Sequence, residues 1–440
     1  MVPGSIGQDV VEASIAKVNQ IKLFADDSGF LFRLALVESK FGENPQTFAD
    51  QTNKSPNIWS IDSQKFRETK DIQKHPELLQ LYYDLADKYD IDWQRLDIYD
   101  MQRPLYSALA SKMFLHLNGQ PIPETIDDQA QYWKQHYTAI GDGNVDADTF
   151  VQEVHKLEDL YECSPHISLC YVLDGSGSIG SSDFQLAKQF LYNVTDKISS
   201  ENGQFCLVLF SSDAQTIYDF TVTDKTKRLN KIKDLIQPDM STNTRAGIQK
   251  TVDIMETSIN QVPYKTMFVL TDGYSDDGVQ PAVSNAQKAH IKSWVWGIGD
   301  GVKDKELNEI AYNIPDNVKQ LTKYSSMDSY LYEFKKTLCD EIIHLIDGQK
   351  FDDTSVQNEK RYFSIDLPKT GAISLTIQLT NGNTLGYYAY STPNPSSAVN
   401  DGQLDTNPYN IPGQQQHSQV YVTIVGQGPN NVYSITPTYI

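Results

Sequence analysis

The sequence offers little with which to cross a membrane or hold a nucleic acid. No apolar run approaches the roughly 18 residues that a membrane-spanning helix needs. The opening Met-Val-Pro-Gly-Ser-Ile-Gly lacks the basic and apolar regions of a secretion signal. Basic residues are scarce: 37 Lys+Arg face 57 Asp+Glu, a formal net charge of −20, and no Lys/Arg cluster stands out. Such a balance repels phosphate backbones and anionic lipid surfaces, so nucleic acid and anionic membrane are excluded as partners. No G-x-S-x-G elbow occurs and the eight histidines form no H-E-x-x-H pair, which removes two hydrolase classes. Gly297-Ile-Gly299-Asp-Gly301 falls short of the G-x-G-x-x-G spacing of a dinucleotide-binding turn. Cysteine is limited to four positions, of which Cys170 and Cys206 lie inside apolar runs and read as buried thiols. At 440 residues the chain has room for about three domains.

What is present begins with Asp174-Gly-Ser176-Gly-Ser178-Ile-Gly180. It follows the apolar, β-branched run Ile167 to Leu173 and precedes Phe184 to Leu191, which has helical period. A strand-to-helix turn at the carboxyl end of a parallel strand is where open α/β sheets place ligands. One carboxylate and two hydroxyls converge there, hard oxygens that suit Mg²⁺ or Mn²⁺. Two later stretches extend the set. Lys265 to Gly273 is a second buried strand ending in Asp272, and Met240 to Gly247 is a hydroxyl-rich loop ahead of a helix.

Together these stretches resemble the von Willebrand factor A domain with its metal-ion-dependent adhesion site, over about residues 163–345. The resemblance implies that Ser176, Ser178 and Thr242 touch the metal directly, that Asp174 and Asp272 hold it through water, and that an Asp or Glu carboxylate of a protein partner completes the coordination. It also implies a disulfide joining Cys163 to Cys339, and with it an extracellular or cell-surface setting. The alternation of strands and helices from Gln204 to Leu345 predicts a doubly wound α/β sheet, with a last helix over Met327 to Leu345.

Residues 1–162 carry helix-spaced apolar residues over Val10 to Phe24, Gly29 to Phe41, Pro76 to Lys88, Met101 to Leu117 and Asp127 to Tyr137. Within them Leu34-Ala-Leu-Val-Glu38-Ser39-Lys-Phe41-Gly42 places a carboxylate near the end of an apolar helix, the environment that makes a general acid. With Asn57-Ile-Trp59-Ser60-Ile-Asp62 it resembles the lysozyme-like, phage-type lytic transglycosylases. That resemblance implies Glu38 as acid/base, with Trp59, Ser60, Tyr132 and Trp133 lining a groove for peptidoglycan-type glycan. Ser60 and Asn57 depart from the usual glutamine and glycine, and no second carboxylate is secure beyond Asp62, whereas most glycoside hydrolases use two.

Asp142, Asn144, Asp146, Asp148 and Glu153 stand at positions one, three, five, seven and twelve of an EF-hand-like loop, a second candidate site, for Ca²⁺. Ala147 occupies the position that needs glycine. From about 351 to 440 short alternating runs predict an all-β sandwich, in which Tyr387, Tyr388 and Tyr390 are candidates for a sugar platform. The expected organisation is therefore an all-α lysozyme-like domain (1–162), an α/β domain (163–347) and a β-sandwich (351–440). The expected function is extracellular adhesion to an acidic partner through Mg²⁺, with a glycan-binding and glycan-cleaving front domain. The alternative is a non-catalytic matrix or cement protein built from interaction modules.

Overall fold

The computed structural model describes residues 2–21, 24, 26–45, 47, 56–138, 146–161, 163–198, 203–257, 264–275 and 277–440. The chain divides into two compact units, residues 161–341 and the composite of 1–160 with 342–440.

The first part of the composite unit is helical: α1 (Gln8–Asn19), α2 (Phe30–Ser39), α3 (Ser63–Glu68), α4 (Leu78–Tyr89), α5 (Pro104–Leu117), α6 (Ile126–His136) and α7 (Ala147–Leu160). Their apolar stripes meet in one core built on Phe30, Leu34, Trp59, Leu109, Tyr137 and Phe150. Local chemistry fixes several ends. Asp62 caps α3 by accepting from the backbone of Gln64 and Lys65, both at 2.8 Å, and Pro104 opens α5 where its missing N–H costs nothing. Two charged contacts are buried in this core. Lys112 donates to Asp27 at 2.6 Å, and Arg33 pairs with Glu158 at 3.0 Å while donating to Gln129.

In the second unit β1 (Ser168–Asp174), α8 (Ser181–Lys197), β2 (Gln204–Phe210), β3 (Ala214–Tyr218), α9 (Lys225–Lys233), α10 (Thr244–Thr257), β4 (Lys265–Thr271), α11 (Gln280–Lys288), β5 (Ile291–Ile298), α12 (Asp304–Ile310), β6 (Val318–Leu321) and α13 (Leu331–Cys339) follow in turn. The sheet runs β3-β2-β1-β4-β5-β6, parallel except for β3. Helical residues cover both faces, in two separate apolar clusters. One face is held by aromatic packing: Phe268 lies 4.4 Å from Phe334 and 5.1 Å from Trp296, which in turn lies 5.1 Å from Phe190. Each such pair adds about 0.5–1.5 kcal/mol beyond area burial.

Three expectations are corrected here. The stretch Met327 to Leu345 is not one helix, because α13 ends at Cys339 and Ile342–Leu345 is a strand, β7, that pairs with the C-terminal sheet. The unit boundary accordingly falls after Glu341 rather than at 347. Cys170 and Cys206 are not thiols: they face each other across β1 and β2 and form a disulfide, with Cα atoms 4.4 Å apart. The bridge between Cys163 and Cys339 is present, with Cα atoms 6.1 Å apart.

The remaining strands are β8 (Phe351–Ser355), β9 (Lys360–Asp366), β10 (Ala372–Asn381), β11 (Thr384–Ala389), β12 (Gly402–Gln403), β13 (Tyr409–Pro412), β14 (Gln419–Gly426) and β15 (Asn431–Tyr439). They form two sheets, β13-β10-β15-β8 and β12-β11-β14-β9-β7, and Phe351 of the first meets Phe363 of the second edge-on at 6.0 Å. Lys360 and Ser397 of this part engage Asp9 on α1. Strand alternation separates Tyr387 from Tyr388 and Tyr390, so the three do not make one platform. Tyr387 pairs with Thr423 and is 8% exposed. Tyr388 packs edge-on against Tyr390, and Tyr390 stacks on His417. Among the described residues no helix is long and apolar enough to cross a membrane.

The buried ion pair yields a stability test. Lys112→Met strands the Asp27 charge in the core and is expected to cost about 3–5 kcal/mol. In urea denaturation the double variant with Asp27→Leu should recover most of that loss. Equal midpoints for wild type and Lys112→Met would show the pair to be energetically silent.

Candidate functional site

The carboxyl ends of β1 and β4 lie side by side, and their turns carry the hydroxyl and carboxylate groups singled out in the sequence. Asp174 is fully buried at the end of β1. Its Oδ1 accepts from the Ser176 backbone N–H at 2.8 Å and its Oδ2 from the Thr271 hydroxyl at 2.6 Å. The Ser176 and Ser178 hydroxyls are 3.0 Å apart, and Ser178 donates to Asp272 Oδ1 at 2.7 Å. Thr242 arrives from the loop before α10. A methyl group placed on Gly273 would lie 3.6 Å from the Thr242 hydroxyl and 3.9 Å from that of Ser178, so three loops converge on one spot. All five sequence-predicted groups are brought to this one end of the sheet.

Glycine is required in the first of these turns by close approach. A Cβ on Gly175 would sit 2.7 Å from the Pro238 ring, and one on Gly177 2.9 Å from an Asp239 carboxylate oxygen. Gln237 locks the same turn by donating to the carbonyls of Ser176 and Ile179. Thr271, Gln237 and Asp239 were not among the sequence candidates. Thr271 had a signal in its place directly before Asp272, whereas the other two reach the site only through loop packing.

The electrostatics fit a cation. Burial pushes the Asp174 carboxyl up to about 6, against the opposing hydrogen bonds of Thr271 and Ser176 and with a further rise from the nearby Asp272 charge. Asp272 is raised too, mainly by desolvation. No Lys, Arg or His pairs with Asp174 among the described residues, so the anionic form lacks a countercharge that a divalent ion would supply. Among the described residues no group of three His, Cys, Asp or Glu side chains is arranged to hold a metal ion, whereas this donor set draws on hydroxyl oxygens.

The N-terminal candidates are arranged differently from expectation. Glu38 sits half-buried on the last turn of α2 and accepts from the Trp133 indole N–H at 2.7 Å. Trp59 is fully buried, donating to the Leu31 carbonyl, and Tyr132 and Trp133 are 5% and 6% exposed. These three rings are core residues here and do not offer faces for sugar stacking: Tyr132 and Trp133 lie on the inward stripe of α6, and the turn before α3 tucks Trp59 beneath α2. Ser60 keeps some exposure and adopts φ 52°. Lys40, Phe41 and Gly42, directly after Glu38 and Ser39, are all left-handed, and strain of this kind gathers at functional sites. Asp62 is committed as a helix cap.

The EF-hand-like candidate is corrected. Asp142 and Asn144 lie outside the described residues, and α7 already begins at Ala147. Asp148 and Glu153 therefore ride on a helix, Asp146 accepts from the Asp148 backbone N–H, and Glu153 is engaged by Lys40 at 2.5 Å. A loop that turns helical at its sixth position cannot wrap a calcium ion.

Residues 169–333 match the family model for the von Willebrand factor type A domain, so the chain carries such a domain. Among similar proteins, mouse integrin alpha-E is 29% identical over 241 residues, covering 51% of this chain and 20% of the integrin. Human cochlin is 31% identical over 150 residues, 32% of this chain and 27% of cochlin. Human collagen alpha-1(XXI) is 28% identical over 180 residues, 40% of this chain and 19% of the collagen. The chain thus spans about a fifth to a quarter of these relatives' lengths. Of solved structures, proximal thread matrix protein 1 of the mussel byssus aligns with TM-score 0.38 at 20% identity, over 44% of this chain and 50% of its own.

Because Asp174 holds its proton more tightly folded than unfolded, its contribution to the stability of the metal-free protein is fully present below about pH 4 and is lost as pH rises through about 6. In chelator, Asp174→Asn should flatten this pH dependence, worth about 2–3 kcal/mol by pH 7.5. Chemical denaturation at pH 4.5 and 7.5 reads it, and identical slopes for wild type and variant would refute the assignment.

Proposed function

We propose that this is an extracellular adhesion or matrix protein that captures a partner's Asp or Glu carboxylate through a Mg²⁺ or Mn²⁺ ion at the turn 174–178. The observation that carries this reading is Asp174, a buried carboxylate without a countercharge, held by the Thr271 hydroxyl and the Ser176 backbone N–H beside the hydroxyls of Ser176 and Ser178. Ser176, Ser178 and Thr242 would hold the ion directly, and Asp174 and Asp272 through water. The bound ion supplies an electrophilic position for an outside carboxylate. With few charged direct ligands, little of its charge is cancelled by the protein. The family match over residues 169–333 and the similarity of the chain to integrin, collagen and cochlin support an adhesion or matrix role, and the two disulfides support an oxidising compartment.

A second reading rests on Glu38. A carboxylate oriented by an indole N–H, directly before three left-handed residues at 40–42, is the candidate acid/base for a peptidoglycan-type glycan. On that reading the helical part is a lysozyme-like domain, and Trp133 orients the acid instead of stacking on sugar.

Full-chain protein should bind Mn²⁺ with a bound-state electron paramagnetic signal and adhere to an array of matrix proteins in Mg²⁺. Both should be lost in EDTA and in Asp174→Ala, with the fold retained by circular dichroism. Adhesion unchanged by chelator would sink the metal bridge. For the second reading, release of soluble muropeptides from purified peptidoglycan should fall at least about 100-fold in Glu38→Gln. Absence of release by the wild type across several wall types leaves the non-catalytic matrix role.

A further inference from the structure

Asp239 lies against the turn at 174–178 without joining its donor set. One of its carboxylate oxygens is 2.9 Å from the point where Gly177 would carry a Cβ, and Gly177 separates the two serines whose hydroxyls are candidate ligands. Neither hydroxyl turns to it: Ser178 donates to Asp272, and the Ser176 hydroxyl lies 3.0 Å from that of Ser178. The backbone around Asp239 is tied to the same turn on both sides. Its N–H donates to the Gly175 carbonyl at 3.0 Å, and the Met240 carbonyl accepts from the Gly177 N–H at 2.7 Å. Its φ of 58° is left-handed, a conformation that aspartate tolerates better than most residues.

The carboxylate placed in this way is exposed and pairs with no Lys, Arg or His among the described residues. Lys303, which follows β5 at this end of the sheet, lies over the Tyr274 ring instead, 3.4 Å from its centroid. Beside Asp239, Met240 is 59% exposed, an apolar side chain left in water next to a fixed negative charge. A basic side chain of a partner fits both features. Its aliphatic stem covers an apolar neighbour while its charged head meets the carboxylate. A second acidic residue at the same place would be repelled, so the position discriminates by sign.

We propose that Asp239, with Met240, selects partner segments in which the metal-bound Asp or Glu has a Lys or Arg as a close sequence neighbour. This rests on the metal-bridge reading above. The ion takes the partner's acid, and Asp239 takes the base that accompanies it.

Full-chain protein is passed in Mn²⁺ over surfaces of glycine-rich peptides that carry a Glu and, beside it, Lys, Ala or Asp. Wild type should hold the Lys peptide about two- to fivefold more tightly than the Ala peptide. The Asp peptide should be held most weakly, and the spread should shrink at high salt. Asp239→Asn, which accepts the left-handed backbone, should level the three peptides, and Asp239→Lys should invert their order. The bound-Mn²⁺ paramagnetic signal should persist in both variants. A wild type that does not rank the peptides, or an Asp239→Lys variant that ranks them as wild type does, overturns the proposal. Either result leaves the metal bridge standing, because binding to the Glu peptides remains sensitive to chelator. Loss of the Mn²⁺ signal in Asp239→Asn also overturns it, by making Asp239 a support of the ion. Failure of every Glu peptide to bind in Mn²⁺ sinks the metal bridge and this proposal together.

Discussion

Burying Asp174 at the end of β1 is the constraint on which this face of the α/β unit depends. A carboxylate removed from water must be hydrogen-bonded or neutralised, and the surrounding loops supply the bonds without supplying a countercharge. Thr271 reaches it from the adjacent strand, Ser176 turns its backbone N–H back on it, and Gln237 clamps the turn that makes this possible. Gly175 and Gly177 leave space for Pro238 and Asp239 to close over the turn. The parallel pairing of β1 with β4 does the rest, bringing two sequence-distant strand ends to one edge.

The same logic separates the α/β unit from the composite one. In the helical part the buried charges are paired outright, Lys112 with Asp27 and Arg33 with Glu158. Those carboxylates are structural. Glu38 accepts from the indole N–H of Trp133, which orients the carboxylate on the last turn of α2.

Much of the α/β unit was legible from the chain alone. The turn at 174–178, the Asp272 turn and the hydroxyl loop at 240–244 are each local, and each follows an apolar strand or precedes a helix. The helical stretches and the principal C-terminal strands were likewise readable from period. Less legible was which way a ring faces. Trp59, Tyr132 and Trp133 looked like sugar-lining aromatics and are core residues. Period 3.6 reports that a helix has an apolar stripe but not whether a given ring at its margin packs inward or borders a groove. Nor did composition reveal that β7 leaves the α/β unit, since Ile342–Leu345 reads equally as helix end or strand.

By itself, then, the sequence determined the oxygen-rich turns, the alternation that makes a parallel sheet, and the acidic balance of the chain. Tertiary structure decided the pairings. It set Cys170 opposite Cys206 by strand register, and it gave Asp174 the hydroxyl of Thr271 from a strand 97 residues away. It also started α7 where a calcium loop would have had to turn. The physical reason is range. Turn chemistry and period are properties of a few neighbouring residues, whereas register, burial and charge balance depend on which distant segments come to lie within a few ångströms.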